Sequence, residues 1–527
     1  MLNFNRLALY AIFPVLLLAS CSKKTTEVDP DPVVPEPPKE NIVKTLDSFV
    51  FKTTKNFLIQ QAITGNIVGD TVFVNTFAGT DLSVLIPEFT FKGGVITVNN
   101  KVQVSGVTAN DYSKKVQYTI TAKDSTKKTY TIKFTDTGLP AIYISTNGVP
   151  IDSKEVYVAG NIKIAGDIAG TILYEGKTTI KGRGNSTWNM PKKPYRIKLD
   201  KKAGLLGMAE SKNWVLLANY ADKTLMRNEL AFELSRHSGL AFTPNSRYVE
   251  VFVNGLYAGN YQLTEQIKEG KTLVNIEEQA DGTTSMPDIS GGYLVELDGF
   301  ADGEPVHFYT GRSMPITVKY PDEDVINQQQ KYYISNHFQK FEDALFADNF
   351  TDPVNGYRKY FDVDSYVNYY LVNEVMGNSD IFWSTYMYKK RNDDKIYTGP
   401  VWDFDIAANN DDRLGDAVNK LMFNAGHDTH TWIDRLMQDP AFRQKIRSRW
   451  NELKMQTNTL PNTVDALAKK LAVSQSRNFI KWDILSLKVY REFQVAGTYD
   501  KEVQYLKTYL TNRINWLDTK FNSSEYQ

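Results

Sequence analysis

Cys21 is the only cysteine in the 527-residue chain, so no intramolecular disulfide can brace any part of it. Stability has to come from packing alone, and a zinc site built on several thiolates is excluded. The chain can supply that packing: 42% of its residues are hydrophobic and 23% charged, ordinary values for globular domains. Its length suits roughly two to four domains. Lys plus Arg and Asp plus Glu each total 61. That balance argues against a protein built mainly for nucleic acid or an anionic surface.

The position of the cysteine is informative. "MLNFNRLALYAIFPVLLLASC" carries one Arg and then an apolar run from Leu7 to Leu18. The run is too short for an ordinary spanning helix and reads as a secretory apolar region. "LLAS" immediately before Cys21 resembles the bacterial lipoprotein signal. That resemblance implies cleavage after residue 20 and lipidation of Cys21. Residues 21–40, continuing "SKKTTEVDPDPVVPEPPKE", are rich in Pro and acids without apolar periodicity, which reads as a solvated tether. The expectation is a body outside the cytoplasm, held in the cell envelope by a lipid anchor, at the outer membrane.

Residues 41–137 read as strands. "SFVFKT", "TVFVNTF", "GVITVN", "KVQYTITAKD" and "KTYTIKFTD" are short, β-branched and aromatic, with turn residues between them. This suits an all-β immunoglobulin-like sandwich. The stretch also resembles the small β modules that precede catalytic or binding domains in surface proteins of Bacteroidetes-type bacteria.

Residues 138–527 mix helices and strands. "GRGNSTW" is a Gly-containing turn between two strands, and "NWVLLANY" is a buried strand. "TLMRNELAFELSRHSG" is a helix ending before Gly239. "RYVEVFVNGLYAGNYQLTEQI" is a hairpin turning at Asn254-Gly255. "DVDSYVNYYLVNEVMG" is a helix opened by Asp362. "STYMYKKRNDDKIYTG" is a strand pair, followed by "PVWDFD". From "TWIDRLMQDPAFRQ" onward the chain reads as mostly helical.

Asp403 and Asp405, one residue apart in "WDFD", pose the chemical question. Two close carboxylates repel, and burying them is costly without a cation or donors. They either cap a turn through local bonds or hold a metal ion. Asp380 in "GNSD" is good turn chemistry taken alone. His427 and His430 in "GHDTH" have a spacing open to a metal pair, but the Gly and polar context favour a loop.

Together, "GRGNSTW", "PKKPYRIKL", "MRNELAFEL", "GLYAGNYQLTEQI", "GNSD" and "WDFD", in this order, resemble the CotH kinase family, the spore coat protein H type. The resemblance covers roughly residues 138–450. It implies an α+β atypical protein kinase-like domain using ATP with Mg²⁺ or Mn²⁺. It implies Asp380 as the catalytic acid and Asp403 as a metal ligand, with Asp405 either a second ligand or a turn cap. It implies nucleotide contacts from the turn at Arg183 and Ser186, and from Lys193 or Lys198. Arg227 would be a further phosphate clamp, Glu229 or Glu233 the partner of the lysine, and Glu265 a residue near the adenine. One departure stands out: where the family and kinases generally carry an Asn five residues after the acid, this chain has Thr385, a poorer metal ligand.

The implied activity is transfer of the γ-phosphoryl of ATP to Ser or Thr of an extracytoplasmic protein. Two alternatives stay open. One is a kinase-like binding protein without activity, attaching to glycan or protein, since ATP is scarce outside the cytoplasm and fold does not fix function. The other is another nucleotide-dependent transfer, such as adenylylation.

Overall fold

The computed structural model describes residues 42–527 apart from 58, 60 and 426–429. The expected signal peptide, tether, lipidation site Cys21 and His427 lie outside the described residues. Among those described, no helix is long and apolar enough to cross a membrane.

The N-terminal region is all β. A six-stranded sheet runs from Asn66–Val68 through Thr71–Asn75, Lys127–Thr135, Val116–Thr121 and Val95–Val98 to Lys101–Val102. A three-stranded sheet of Ile63–Thr64, Thr45–Phe51 and Glu88–Lys92 accompanies it. Strand alternation explains the core: Val116, Tyr118 and Ile120 are buried while Gln117 between them is exposed. Phe49, Phe51 and Phe89 join the same cluster.

The second region begins with a closed seven-stranded barrel, so its sheet has no open edge. Around the barrel the strands run Ala141–Ser145, Val158–Ala165, Ile172–Gly182, Tyr195–Ala203, Ser211–Leu217, Leu256–Glu265 and Ser246–Val253. The last of these pairs in parallel with the first strand and closes the ring. The interior is filled by residues such as Ile162, Ile180, Ile197, Trp214, Val249 and Leu263. The hairpin expected at Asn254-Gly255 is present, with φ of 49° and 77°, the positive values that favour Asn-Gly at such turns. Phe77 of the N-terminal region packs on Phe252 and Tyr257 of the barrel at ring distances of 5.1 and 4.6 Å.

After the barrel comes a five-stranded sheet in the order His307–Tyr309, Pro315–Tyr320, Tyr293–Leu297, Thr385–Lys389 and Ile396–Thr398. Among the described residues, eight helices complete the region: α1 Arg227–His237, α2 Gln328–Phe346, α3 Val363–Met376, α4 Met422–Ala425, α5 Thr431–Leu436, α6 Pro440–Thr457, α7 Leu460–Lys481 and α8 Tyr499–Phe521. The central α3 is buried from Tyr366 to Met376 and packs against α1, α6 and α8. Asp362 caps its start, accepting from the Ser365 amide at 2.8 Å. Gly377 ends it at φ 58°, where a Cβ would meet the Tyr509 hydroxyl at 1.9 Å. Helix α2 was not anticipated, although its Asn327–Gln330 capping box is written in the sequence.

Candidate active site

Each acid motif is aimed by the element before it. The Gly377 turn at the end of α3 delivers Asp380, whose amide bonds Asn378 Oδ1 at 3.2 Å. The strand Ile396–Thr398 leads to Asp403, which takes a left-handed φ of 67°. That conformation costs a non-glycine residue and persists only when neighbours impose it. Asn228 of α1 does so, accepting from the Phe404 amide at 2.9 Å. Asn410 holds the far side through the carbonyls of Asp405 at 2.7 Å and Ala221 at 2.9 Å.

The two acids share a cleft with Arg183, Thr187, Lys192, Asn219, Tyr220 and Asn228. The Asp403 carboxyl is open to solvent through the cleft but densely surrounded by protein, whereas Asp405 is only 8% exposed. Burial raises the Asp403 carboxyl above its ordinary range, Arg183 opposes this, and Asp380 adds to it. Asp405 is raised further, by burial first and then by the charges of Asp403, Asp222 and Asp380. The pair is therefore short of positive charge.

That deficit is the test for a divalent cation, and the residues fit one. Mg²⁺ is usually held by one or two carboxylates, with phosphate and water oxygens supplying the rest. Among the described residues no cluster of three or more metal-ligating side chains exists, so the protein alone offers no closed cage. Asp403 and Asp405 are the residues that would hold the ion.

Arg183 lines the cleft, acts electrostatically on Asp403 and lies over the Trp402 ring at 5.5 Å. Other expectations change. Ser186 is exposed, and Thr187 lines the cleft instead. Lys193 folds back onto Trp188, donating to its carbonyl at 2.7 Å. Lys198 is exposed on the barrel's outer side, because strand alternation turns Ile197 and Leu199 inward. Lys192 is the lysine lining the cleft, and its ammonium bonds the Asn260 carbonyl and Asn478 Oδ1 of α7.

Arg227 is not a free clamp. It is 1% exposed, and its guanidinium donates to Asp222 at 2.5 Å and to the Ala407 carbonyl at 2.8 Å. It ties α1 to the turn that follows the paired acids. Glu229 does not reach a lysine; it accepts from Gln262 at 2.9 Å, Ser246 and Arg236. Glu233 pairs with Arg236 at 2.7 Å and His237 at 3.4 Å. Glu265 lies opposite Trp214, whereas the cleft residue Leu217 lies opposite Gln262. Three residues of strand separate the two levels, about 10 Å. Glu265 instead accepts from the Asn245 amide at 2.9 Å. Thr385 is buried and its hydroxyl bonds Tyr369 at 2.8 Å, so it is committed to the packing of α3. His430 precedes α5 and meets the Phe382 ring edge-on at 6.2 Å.

Sequence reasoning missed Asn228, Asn410 and Arg413. Arg413 Nη2 donates to Asp380 Oδ1 at 2.7 Å. Asn228 lies within the helix motif "MRNELAFEL", but nothing in its spacing marks it as the support of a loop more than 170 residues away.

The chain belongs to the CotH kinase protein family, whose pattern matches residues 180–517. An "SGBP, N-terminal" pattern matches residues 53–134, within the all-β region. No curated protein matches the chain. Among solved structures, it is similar to one titled "Crystal structure of a putative glycoside hydrolase from bacteroides thetaiotaomicron vpi-5482 at 2.05 A resolution", at 19% identity. The match covers 42% of this chain and 55% of the other, with a TM-score of 0.14. A likeness that small carries no argument about fold or chemistry.

Proposed function

We propose that this chain is a cell-envelope lipoprotein whose C-terminal region is an atypical protein kinase-like domain. It transfers the γ-phosphoryl of ATP to a Ser or Thr hydroxyl of an extracytoplasmic protein. The N-terminal region, read as an immunoglobulin-like sandwich, is its spacer. The observation that carries the reading is the cation-deficient pair Asp403 and Asp405 in one cleft with Arg183, close enough to Asp380 for its charge to act on both acids. Family membership supports the same reading.

In this mechanism Arg183 offsets phosphate charge, and the cleft walls orient the nucleotide. Mg²⁺ or Mn²⁺ on Asp403 and Asp405 would supply charge neutralisation at the phosphates. Asp380 orients the acceptor hydroxyl and receives its proton as the new O–P bond forms, while the bond from the γ-phosphorus to the bridging oxygen breaks and ADP leaves. Such catalysis is mostly positioning and electrostatics. The anchor is lipid on Cys21, supported by its place as the sole cysteine, directly after an apolar leader. Loss of detergent-phase partitioning in Cys21→Ser tests it.

A second reading, binding without transfer, is favoured by one observation: the Thr385 hydroxyl is spent on Tyr369, so the loop offers no second cation ligand there. ATP labelled at the α or γ position, with casein and envelope extract as acceptors, separates the readings. Acceptor label from γ only, lost in Asp380→Asn, supports the kinase. Label from α indicates adenylylation. Metal-dependent ATP binding with no label from either position supports the binding protein.

A further inference from the structure

Asp380 sits at a turn, and a carboxylate there needs something to fix its direction. Arg413 comes from a segment that no motif marks. Its Nη2 donates to Asp380 Oδ1 at 2.7 Å and to Ser379 Oγ at 3.2 Å. Its Nε contacts both oxygens of Asp411, at 3.0 and 2.7 Å. Asp411 is 3% exposed; burial would raise its carboxyl, but bonds from Arg413 and Ser379 outweigh burial and leave it lowered. Asp411 also accepts from the hydroxyl of Ser379, the residue just before Asp380. One buried carboxylate thus grips Asp380 from two sides, through its preceding residue and through a planar guanidinium. A planar fork fixes orientation where an ammonium would not.

The surrounding segment has other anchors. Asn409 bonds Asp416 at 2.8 Å, and Arg513 bonds the carbonyls of Ala417 at 3.1 Å and Val418 at 2.9 Å. Lys488 bonds Asp412 at 2.5 Å. These contacts anchor the segment separately from the reach of Arg413 to Asp380. That reach brings a cation to an acid whose charge already opposes those of Asp403 and Asp405.

We propose that Arg413, fixed by Asp411, is a positioning residue that aims Asp380 at the acceptor hydroxyl. This rests on the kinase reading above. A carboxylate displaced by about 1 Å loses on the order of 100-fold in rate. The test uses the mature full-length protein, measuring γ-phosphoryl transfer to casein or envelope extract and ATP binding with Mn²⁺. Arg413→Gln should lower kcat on the order of 100-fold, leave KM for ATP and nucleotide affinity within about twofold, and be partly rescued by added guanidinium. Arg413→Lys should recover little, and Asp411→Asn should lower kcat in the same direction without touching Asp380. If Arg413→Gln turns over like wild type, or loses kcat and ATP affinity together with no rescue, the positioning role is refuted while the kinase reading stands. If wild type transfers no phosphoryl group, the kinase reading fails and the proposal with it.

Discussion

Replacing Arg227 by Met separates two roles that the sequence alone left together. Met keeps much of the apolar stem but removes the guanidinium. The structure gives that group a buried partner, Asp222, which is 0% exposed, and a bond to the Ala407 carbonyl. Breaking a buried ion pair from one side costs about 3–5 kcal/mol, because the remaining charge is stranded. The Ala407 bond adds about 1 kcal/mol, not strictly additively. The expected loss is therefore about 4–6 kcal/mol. Urea unfolding followed by tryptophan fluorescence reads it as a lower midpoint at unchanged slope. Arg227→Met with Asp222→Asn should recover part of the loss, since no charge is then stranded. ATP affinity should fall only through displacement of the loop that follows Asp405. The reasoning is refuted if stability stays within about 1 kcal/mol while ATP affinity collapses, the behaviour of a phosphate clamp.

Two further outcomes follow from buried charge. Burial holds the Lys192 ammonium down at about 7, against 10.5 for an exposed lysine, with Glu250 partly opposing the shift. Between those values the unfolded chain binds a proton that the folded chain lacks, so Lys192 makes stability rise with pH from about 7 upward. Urea midpoints at pH 7 and pH 9 should converge in Lys192→Met, and an unchanged difference would count against this. Asp405→Asn should leave the metal-free protein at least as stable as wild type, because it removes a buried charge facing Asp403 and Asp222. The same variant should lose at least about tenfold in Mn²⁺-dependent ATP affinity, and thermal melts with and without ATP and Mn²⁺ report both effects; a destabilised variant with normal affinity would mean the carboxylate is structural.

Much of the fold was legible because it rests on local patterns. Alternation marked the strands Thr71–Asn75 and Val116–Thr121, Asn254-Gly255 marked a hairpin, and Asp362 marked the start of α3. Helix α2 carried equally plain signals, Ile334, Phe338, Phe341 and Leu345 on one face and a capping box at its start. The site was less legible. The paired acids were visible as a sequence oddity, and the structure adds their shared cleft. Which of Lys192, Lys193 and Lys198 turns toward that cleft depends on a local fold-back onto Trp188 and on barrel alternation, which one-residue spacing does not reveal. Arg227 was ambiguous and Arg413 went unmarked for a different reason. Each acquires its role from a partner in three dimensions, the carbonyls of Ala407 and Ala408 for the first and Asp380 for the second.

On the function proposed above, Asp403 and Asp405 hold a cation carried with a nucleotide. Calorimetric titration of the mature protein with ATP, in Mg²⁺ and in Mn²⁺, beside Asp403→Ala, tests it most directly. The account requires metal-dependent binding to the wild type that Asp403→Ala abolishes while remaining folded. Absence of binding by well-folded wild type with either metal, or equal binding by the variant, would contradict it.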